Sequence, residues 1–450
     1  MTLVARSRRL DADVDLLAFA GAGGFVFERA RVGVAGRGAA LEIPWPAGDP
    51  AAAAQAAAAA LAAIDVDDQV GVPGTGPVAF GALPFVPGGA ATLVVPEVVV
   101  GRADDGTRWM TVVSGTGPPG ADGPDGPHGG DGVVRDGGTR DGGTRDGQGD
   151  PGDRPPLPDP DAPEPSDLVA PHRAGPQPQR YTVASARSPE WWCALVERAT
   201  KTMAEGAFEK VVLARQVDVT ADHPLDRHAV LDRLRNGYPG CHIVGIGGFV
   251  AASPELLVSV AGDIVRSHPM AGTAPRGGDP ATDQRLAASL LASATYRHEH
   301  QVTIDVVHDT LLGWCSYVDY EAEPSVVAVA NLQHLATKVE GRLSRPTPSV
   351  LELVAALHPT PAVAGRPRDL AVDWIAANEE VDRGRYAGTA GWVDGAGNGA
   401  WAVSVRCAEI DGASARLWAG NGIVANSDPA AELAETRVKL QALMSALVRP

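Results

Sequence analysis

Cysteine is scarce in this chain of 450 residues. The four cysteines, Cys193, Cys241, Cys315 and Cys407, lie far apart and form no Cys-x-x-Cys pair. This small number and wide spacing of cysteines exclude a disulfide framework and a thiol-based zinc or redox motif of the usual spacing. We therefore expect a reduced, cytoplasmic protein. A secretion signal is not expected either, because Asp11, Asp13 and Asp15 interrupt the apolar segment that such a signal requires.

Long apolar stretches and clusters of basic residues are also missing. The most apolar run, 51–64, is mostly alanine and is shorter than the roughly 20 residues that a membrane-spanning helix needs. The chain carries 38 Lys and Arg against 55 Asp and Glu, a formal net charge of −17. Nucleic acid and anionic membranes both attract basic surfaces, so neither is expected as a partner.

One segment lacks aromatic residues altogether. Residues 117–167 contain 14 Gly, 11 Pro and 11 Asp, and they repeat the pattern Arg-Asp-Gly-Gly-Thr. Such a composition buries too little apolar surface to offset the entropy of ordering, which predicts a disordered insert. With 12 acidic residues against 4 Arg, the insert accounts for −8 of the net charge. The acidity of the whole chain therefore says little about any active site.

What remains is a mixture of strand and helix patterns, which indicates an α+β protein. Three short runs between glycine turns, 24–28, 40–44 and 92–96, predict strands in the first part of the chain, around a helix in the alanine run. Later in the chain, 210–214 and 401–405 predict strands, and apolar residues at helical spacing predict helices over 282–312 and 429–447. The predicted organisation is an amino-terminal part at 1–116, a disordered acidic linker at 117–180 and a catalytic region at 181–450.

The last predicted helix carries a charged face. Glu432, Glu435 and Lys439 are spaced i, i+3 and i+7, so they stack on one side of the helix. Taken alone, this pattern favours a solvated face with an exposed ion pair. However, the preceding segment Trp418-Ala-Gly-Asn-Gly-Ile-Val424 is rich in glycine, and glycines before a helix let backbone N–H groups approach an anion.

The segment Arg297-His-Glu-His300 suggests a metal ligand in the central helix. Zinc sites on helices need histidines four residues apart, whereas His298 and His300 are two apart and point to different faces. Carboxylates from two helices, Glu299 and Glu435, are better suited to Mg²⁺, which binds one or two carboxylates, water and an anionic ligand.

Two further residues are candidates for proton transfer. Glu255 ends the segment Ser253-Pro-Glu255, a turn that follows a strand, and an exposed turn glutamate is the alternative interpretation. Lys210 begins the apolar strand pattern; a lysine there usually points to solvent. If it were drawn inside, burial would lower its pKa and allow it to act as a general base.

Taken in order, these segments resemble the chorismate-utilising enzymes, over residues 181–450. The segments that carry the resemblance are Lys210-Val-Val-Leu-Ala-Arg215, Ser253-Pro-Glu255, Pro269-Met-Ala-Gly-Thr-Ala-Pro-Arg-Gly277, Glu299-His300, Leu332-Gln-His-Leu335, Arg383-Gly-Arg-Tyr-Ala-Gly388, Ser404-Val-Arg-Cys-Ala408, Ala419-Gly-Asn-Gly-Ile-Val424 and the Glu432-x-x-Glu-Thr-x-x-x-Lys439 pattern. The resemblance implies two packed antiparallel sheets flanked by helices, with residues 1–116 completing the same core.

Within this family, the lysine at position 210 is typical of members that use water as the nucleophile. Together with the loop Leu357-His-Pro-Thr-Pro-Ala-Val-Ala-Gly-Arg-Pro367, it implies the isochorismate synthase activity. The resemblance gives Lys210 the role of base toward the water that attacks C2 of chorismate. Glu255 is the acid that protonates the leaving C4 hydroxyl. The product would feed menaquinone or siderophore biosynthesis.

The resemblance also assigns the binding residues. Mg²⁺ would be held by Glu299 and Glu435, with Glu432 close by. The residues implied to bind chorismate are Thr273, His334, Tyr386, Arg406, Gly420, Gly422 and Lys439. A monomer is expected.

Two other functions stay open. A salicylate synthase, which eliminates pyruvate from isochorismate, would share the same base, acid and metal ligands. A non-catalytic chorismate-binding protein would be expected to lack one of them. The chain departs from the family pattern at Met270, at Thr295-Tyr296 and at Asn421. A side chain at position 421 could narrow the space for a substrate carboxylate, and the sequence leaves this effect open.

Overall fold

The structure is a computed structural model that describes residues 2–116, 175–329 and 331–448. The predicted insert lies outside the described residues as far as residue 174. Residues 175–180 have neither helix nor strand structure.

Both parts of the chain contribute helices and strands. The first part contains β1 (Thr2–Arg9), α1 (Leu16–Ala20), β2 (Phe25–Arg29), β3 (Val32–Arg37), β4 (Leu41–Trp45), α2 (Pro50–Ala62), β5 (Asp65–Asp68), β6 (Val78–Leu83), β7 (Ala91–Val95), β8 (Val98–Arg102) and β9 (Arg108–Thr116). The second part begins with β10 (Tyr181–Ser185), α3 (Pro189–Ala204), β11 (Lys210–Ala221), α4 (Arg227–Gly237), β12 (His242–Ile246), β13 (Phe249–Ser253), β14 (Leu256–Ala261), β15 (Ile264–His268), β16 (Met270–Pro275), α5 (Pro280–Ala292) and α6 (Ala294–Leu312). It continues with β17 (Cys315–Tyr320), β18 (Ser325–Val329), β19 (Leu332–Ala336), β20 (Val339–Leu343), α7 (Val350–Leu357), β21 (Gly365–Arg366), α8 (Arg368–Asn378), β22 (Thr389–Asp394), β23 (Gly399–Val403), β24 (Cys407–Asp411), β25 (Ser414–Val424) and α9 (Pro429–Val448).

Two large sheets and one small sheet organise these strands. The larger has the order β10-β11-β25-β24-β13-β12-β2-β3-β8-β9-β1-β5, with β21 also paired to β11. The second has the order β17-β20-β15-β14-β23-β22-β6-β7-β4, and β16, β19 and β18 form the small sheet. The expected α+β architecture with two large sheets is confirmed. The small sheet and the parallel pairing of β1 with β5 are additions to it.

The first and second parts of the chain share both large sheets. Strand β2 pairs with β12, and β6 pairs with β22, each in antiparallel register. Buried side chains of the two sheets, such as Phe80, Leu213, Phe249 and Trp401, meet in one apolar cluster. Full burial of a side chain of this size contributes about 1.5–3 kcal/mol, so this layer is a major source of stability.

A second apolar cluster lies on the outer face of the larger sheet. Here Leu17 of α1, Leu231 of α4 and Leu443 of α9 pack with Leu417 of β25. This packing fixes α9 against the strand that carries the glycine-rich segment. None of the helices among the described residues is long and apolar enough to cross a bilayer.

The predicted strands at 24–28, 40–44 and 92–96 are confirmed to within one residue. The alanine helix is also confirmed. It begins at Pro50, and the side chain of Asp49 caps it by accepting a hydrogen bond from the Ala51 N–H group. A proline at the first position and an aspartate cap both stabilise a helix start.

The single helix predicted over 282–312 is wrong. The structure has two helices, α5 and α6, with Ser293 between them in extended backbone conformation. The Ser293 hydroxyl accepts a hydrogen bond from the Tyr296 N–H group, so a capping interaction begins a new helix inside a continuous apolar pattern.

The strand predicted over 401–405 ends earlier, at Val403. The Val405 N–H group donates to the Val403 carbonyl, and Arg406 has a φ of 51°. This tight turn directs the chain away from the sheet at the residue that the resemblance assigns to substrate binding.

Candidate active site

The candidate site lies where the larger sheet, the small sheet, α6 and α9 meet. An inner cavity of about 100 Å³ and an outer cavity of about 620 Å³ adjoin there and share Lys210, Thr273, Glu299, Gly422 and Lys439. All twelve residues that the sequence nominated line these cavities. The inner cavity adds Glu255, His334, Tyr386, Arg406 and Gly420, and the outer cavity adds Glu432 and Glu435.

Lys210 enters the cavities from the first residue of β11. Its side chain is buried, and its Nζ donates to Oε1 of Glu299 on α6 at 2.6 Å. Gly422 on the neighbouring strand leaves the space for this pair, because a Cβ at position 422 would lie 2.6 Å from Lys210 Cε. The edge-residue interpretation of Lys210 is therefore wrong.

A buried ion pair supports the strand that carries Lys210. One edge of β11 contacts β21 at its start and β10 at its end, and between these contacts no strand of the described residues pairs with it. The Glu379 carboxylate accepts from the Ala214 N–H group at 2.9 Å, and Arg383 donates to the Val212 carbonyl at 2.6 Å. Arg383 and Glu379 bind each other at 2.5 Å with both side chains almost fully buried. The pair thus replaces the missing strand contacts.

Glu255 lies between β13 and β14 and is also buried, so the surface-turn interpretation is wrong. Burial raises the pKa of Glu255 to about 8, although the Met270 N–H group and the charges of Lys210 and Arg406 act in the opposite direction. The carboxyl group is therefore protonated at neutral pH. A protonated carboxyl facing the inner cavity is suited to donate a proton.

His334 and Thr273 face each other across β16 and β19. Burial, together with the nearby charge of Arg406, lowers the pKa of His334 to about 3, which makes the ring neutral. An Arg406 Nη2 group lies 3.2 Å from His334 Nε2, and arginine can only donate. The ring proton must then be on Nδ1, which contacts the Gly272 carbonyl at 3.3 Å and the Thr273 hydroxyl at 3.2 Å.

Tyr386 borders the inner cavity beside Gly420. Its ring stacks on Trp418 with centroids 6.1 Å apart, and burial raises the pKa of its hydroxyl. A Cβ at position 420 would lie 2.6 Å from this hydroxyl and 2.7 Å from the Leu213 carbonyl oxygen. Glycine is thus required at position 420, because the Tyr386 hydroxyl and the Leu213 carbonyl leave no space for a Cβ. Lys210 makes the same demand at position 422.

Lys439 is fully engaged with protein groups. Its Nζ donates to the Gly420 carbonyl at 2.8 Å and the Asn421 Oδ1 at 2.9 Å, and it pairs with Glu435 at 2.7 Å. An ammonium group has three donors, so these contacts use all of them. Burial lowers the pKa of Lys439. A substrate carboxylate would have to replace one of these acceptors.

Three carboxylates from α6 and α9 face the outer cavity. Glu299 and Glu435 pair with the two lysines, whereas Glu432 accepts from Asn421 Nδ2 and from the Ser427 hydroxyl, each at 2.8 Å. Burial raises the pKa of Glu432, and the charge of Glu435 adds to this effect. The solvated-face interpretation of the last helix does not hold at Glu432 and Lys439, which are both engaged in partly buried contacts.

Carboxylates are the hard oxygen ligands that Mg²⁺ prefers, and here three converge on one cavity, so the donor set fits this ion chemically. Each carboxylate is now paired with a neighbouring donor. Within the described ranges, no three acidic, cysteine or histidine side chains stand together as a preformed metal-ligand cluster. The zinc alternative finds no support, because His300 is buried and contacts the Thr337 hydroxyl at 2.8 Å.

Sequence reasoning did not anticipate some neighbours of these residues. Ser427 and Tyr296 line the outer cavity, and Ser427 binds Glu432. The open question of Asn421 is answered by its contacts, since its side chain turns toward α9. Alternation along a strand could have indicated this, since residue 421 faces the opposite side from Gly420 and Gly422.

Comparison with known proteins shows the family to which the chain belongs. The family model described as "Chorismate binding enzyme" matches residues 166–448. Isochorismate synthase DhbC of Bacillus subtilis is 40% identical over 278 residues, covering 59% of this chain and 70% of that protein. Isochorismate synthase MenF of the same organism is 37% identical over 260 residues, covering 57% of this chain and 55% of that protein.

The fold has a solved counterpart. The menaquinone-specific isochorismate synthase MenF of Escherichia coli superimposes with a TM-score of 0.74 at 22% identity, covering 99% of this chain and 94% of that one. Its similarity includes the amino-terminal part, which the family model does not cover. From the match over residues 166–448 and the 40% identity to a relative covered over 70% of its length, this chain belongs to the chorismate-binding enzyme family.

Proposed function

We propose that this protein is an isochorismate synthase, converting chorismate to isochorismate. The observation that carries the proposal is the inner cavity, which brings a buried lysine, Lys210, together with a buried carboxyl group, Glu255, that is protonated at neutral pH. An amine base and a carboxylic acid are the two proton-transfer groups that this reaction needs. The relatives named isochorismate synthase support the same assignment.

The reaction adds water at C2 of chorismate and removes the hydroxyl group at C4. The Lys210 amine takes a proton from the attacking water at Nζ, and a C–O bond forms at C2. The ring double bonds shift, the C4–O bond breaks, and Glu255 transfers its proton to the departing oxygen, which leaves as water. No atom is gained or lost overall, so the reaction is an isomerisation.

Chorismate is a dianion and needs positive groups in an otherwise acidic protein. Arg406 supplies a buried guanidinium beside the neutral ring of His334, and Thr273 and Tyr386 border the same cavity. The backbone at Gly420 and Gly422, together with Lys439, forms the opposite side. These groups would orient the two carboxylates of the substrate.

Mg²⁺ would be held by Glu299, Glu432 and Glu435. When bound, the ion supplies positive charge next to a substrate carboxylate. We propose that the enzyme acts on free chorismate in the cytoplasm.

The test is incubation of the purified protein with chorismate and Mg²⁺ without ammonia, followed by chromatographic separation of the products. Isochorismate at a constant final ratio to chorismate is expected. Lys210→Ala should abolish its formation, whereas Lys338→Ala, which removes an exposed lysine paired with Glu321, should not. Salicylate with pyruvate would instead identify a salicylate synthase. Absence of turnover would identify a non-catalytic binding protein.

A further inference from the structure

Asn421 occupies a buried position between the two glycines of β25. Only 2% of the residue is exposed. Because side chains alternate along a strand, Asn421 faces α9, while Gly420 and Gly422 face Tyr386 and Lys210. Its side chain therefore contacts the helix that carries the acidic residues of the outer cavity, and it is absent from the reaction described above.

The amide of Asn421 joins a carboxylate to an ammonium group. Its Nδ2 donates to the Glu432 carboxylate and to the Glu432 carbonyl, each at 2.8 Å. Its Oδ1 accepts from Lys439 Nζ at 2.9 Å. Only one orientation of the amide serves both partners, since a carboxylate accepts and an ammonium group donates.

This arrangement determines which neighbours each charged group has. Asn421 and Ser427 bind one oxygen each of the Glu432 carboxylate, which fixes its plane. Lys439 uses its donors on Gly420, Asn421 and Glu435. Without the amide, Glu432 would lose a donor in a partly buried environment, and the Lys439 ammonium would be free to pair with it instead.

We propose that Asn421 is a positioning residue that keeps Glu432 oriented toward the cation and apart from Lys439. The inference rests on the proposed function only in taking Glu432 as part of the cation site. Groups that orient metal ligands by hydrogen bonding commonly change metal affinity by about 10–100-fold when removed. The amide thereby sets the affinity for the divalent cation without touching it.

The experiment measures Mn²⁺ binding to the full chain by electron paramagnetic resonance, in the absence of chorismate. Asn421→Ala should raise the dissociation constant for Mn²⁺ about tenfold or more. Asn398→Ala is the matched control, because Asn398 also donates its amide to a carboxylate, that of Asp394, and accepts from the Gly262 N–H group away from both cavities. Its Mn²⁺ affinity should equal that of the unchanged protein.

Thermal unfolding of each variant shows whether weaker Mn²⁺ binding comes from the missing hydrogen bonds or from a loss of folded protein. If Asn421→Ala does not fold, Ser427→Ala removes the other hydrogen bond to Glu432 from a partly exposed turn and should weaken Mn²⁺ binding in the same direction. A folded Asn421→Ala protein that binds Mn²⁺ within twofold of the unchanged protein would overturn the inference, as would an unchanged protein that binds no Mn²⁺. If Mn²⁺ affinity falls as expected while no isochorismate is formed, the positioning role stands and the proposed reaction fails.

Discussion

Replacing Glu255 with glutamine tests the acid on which the proposed reaction depends. Glutamine keeps the shape of the side chain and can still accept from the Met270 N–H group, but it carries no proton to transfer. We expect kcat of Glu255→Gln to fall by about 10²–10⁴-fold, the usual contribution of a positioned general acid.

The structure also gives a pH dependence for this residue. Its pKa is raised from 4.5 to about 8, and one pKa unit corresponds to about 1.4 kcal/mol, so the protonated form is favoured in the folded state by roughly 5 kcal/mol. Between pH 4.5 and 8 the folded protein therefore holds a proton that the unfolded chain has lost. The contribution of Glu255 to the free energy of unfolding is fully present below pH 4.5 and is lost as the pH rises to 8.

Two assays follow from this shift. In the unchanged protein, kcat/KM should decline about tenfold per pH unit above pH 8, as the acid loses its proton. In urea denaturation, Glu255→Gln should match the unchanged protein near pH 5 and exceed its stability by several kcal/mol at pH 8.5. Glu340→Gln is the control, because Glu340 is an exposed partner of Arg266 and should change neither quantity appreciably.

A kcat/KM that stays constant to pH 9.5 would refute the assignment of Glu255 as the acid. So would a Glu255→Gln protein whose kcat lies within threefold of the unchanged value. Equal stability differences at pH 5 and pH 8.5 would show that burial does not raise the pKa of this carboxyl group.

Two further predictions concern residues that support Lys210. Gly422→Ala would place a Cβ 2.6 Å from Lys210 Cε, so kcat should fall about 100-fold through displacement of the amine. Steady-state kinetics checks this against Gly237→Ala, whose new Cβ meets no atom within 4 Å; equal kcat values for the two would contradict it. Arg383→Met would leave the Glu379 carboxylate buried without its partner and should lower the free energy of unfolding by about 3–5 kcal/mol in urea. A loss below about 1 kcal/mol, the value of an exposed pair, would show that the pair does not support β11.

Much of the molecule was predictable from local sequence. Short β-branched runs between glycine turns located strands to within a residue, because alternation and turn chemistry act over a few residues. The alanine run predicted a helix for the same reason, and the structure adds that Asp49 caps its start at Pro50. Family membership is confirmed, since the motifs that define it are contiguous segments whose residues and spacing can be recognised before any fold is known.

Other features depend on residues that are distant in sequence. The break at Ser293 interrupts a continuous apolar pattern, so periodicity alone predicted one helix where there are two. The small sheet and the parallel pairing of β1 with β5 arise from strand partners that no local signal specifies.

The residues of the site could be nominated from the sequence, but their electrostatic state could not. Lys210 and Glu299 are 89 positions apart, and only the packing of α6 against the cavity brings their charged atoms to 2.6 Å. The pKa of Glu255 depends on burial by the sheets around it. The sequence alone determined which functional groups are present and where most helices and strands begin. Tertiary packing decided which charges are paired, because desolvation and ion pairing depend on distances that only the folded chain defines.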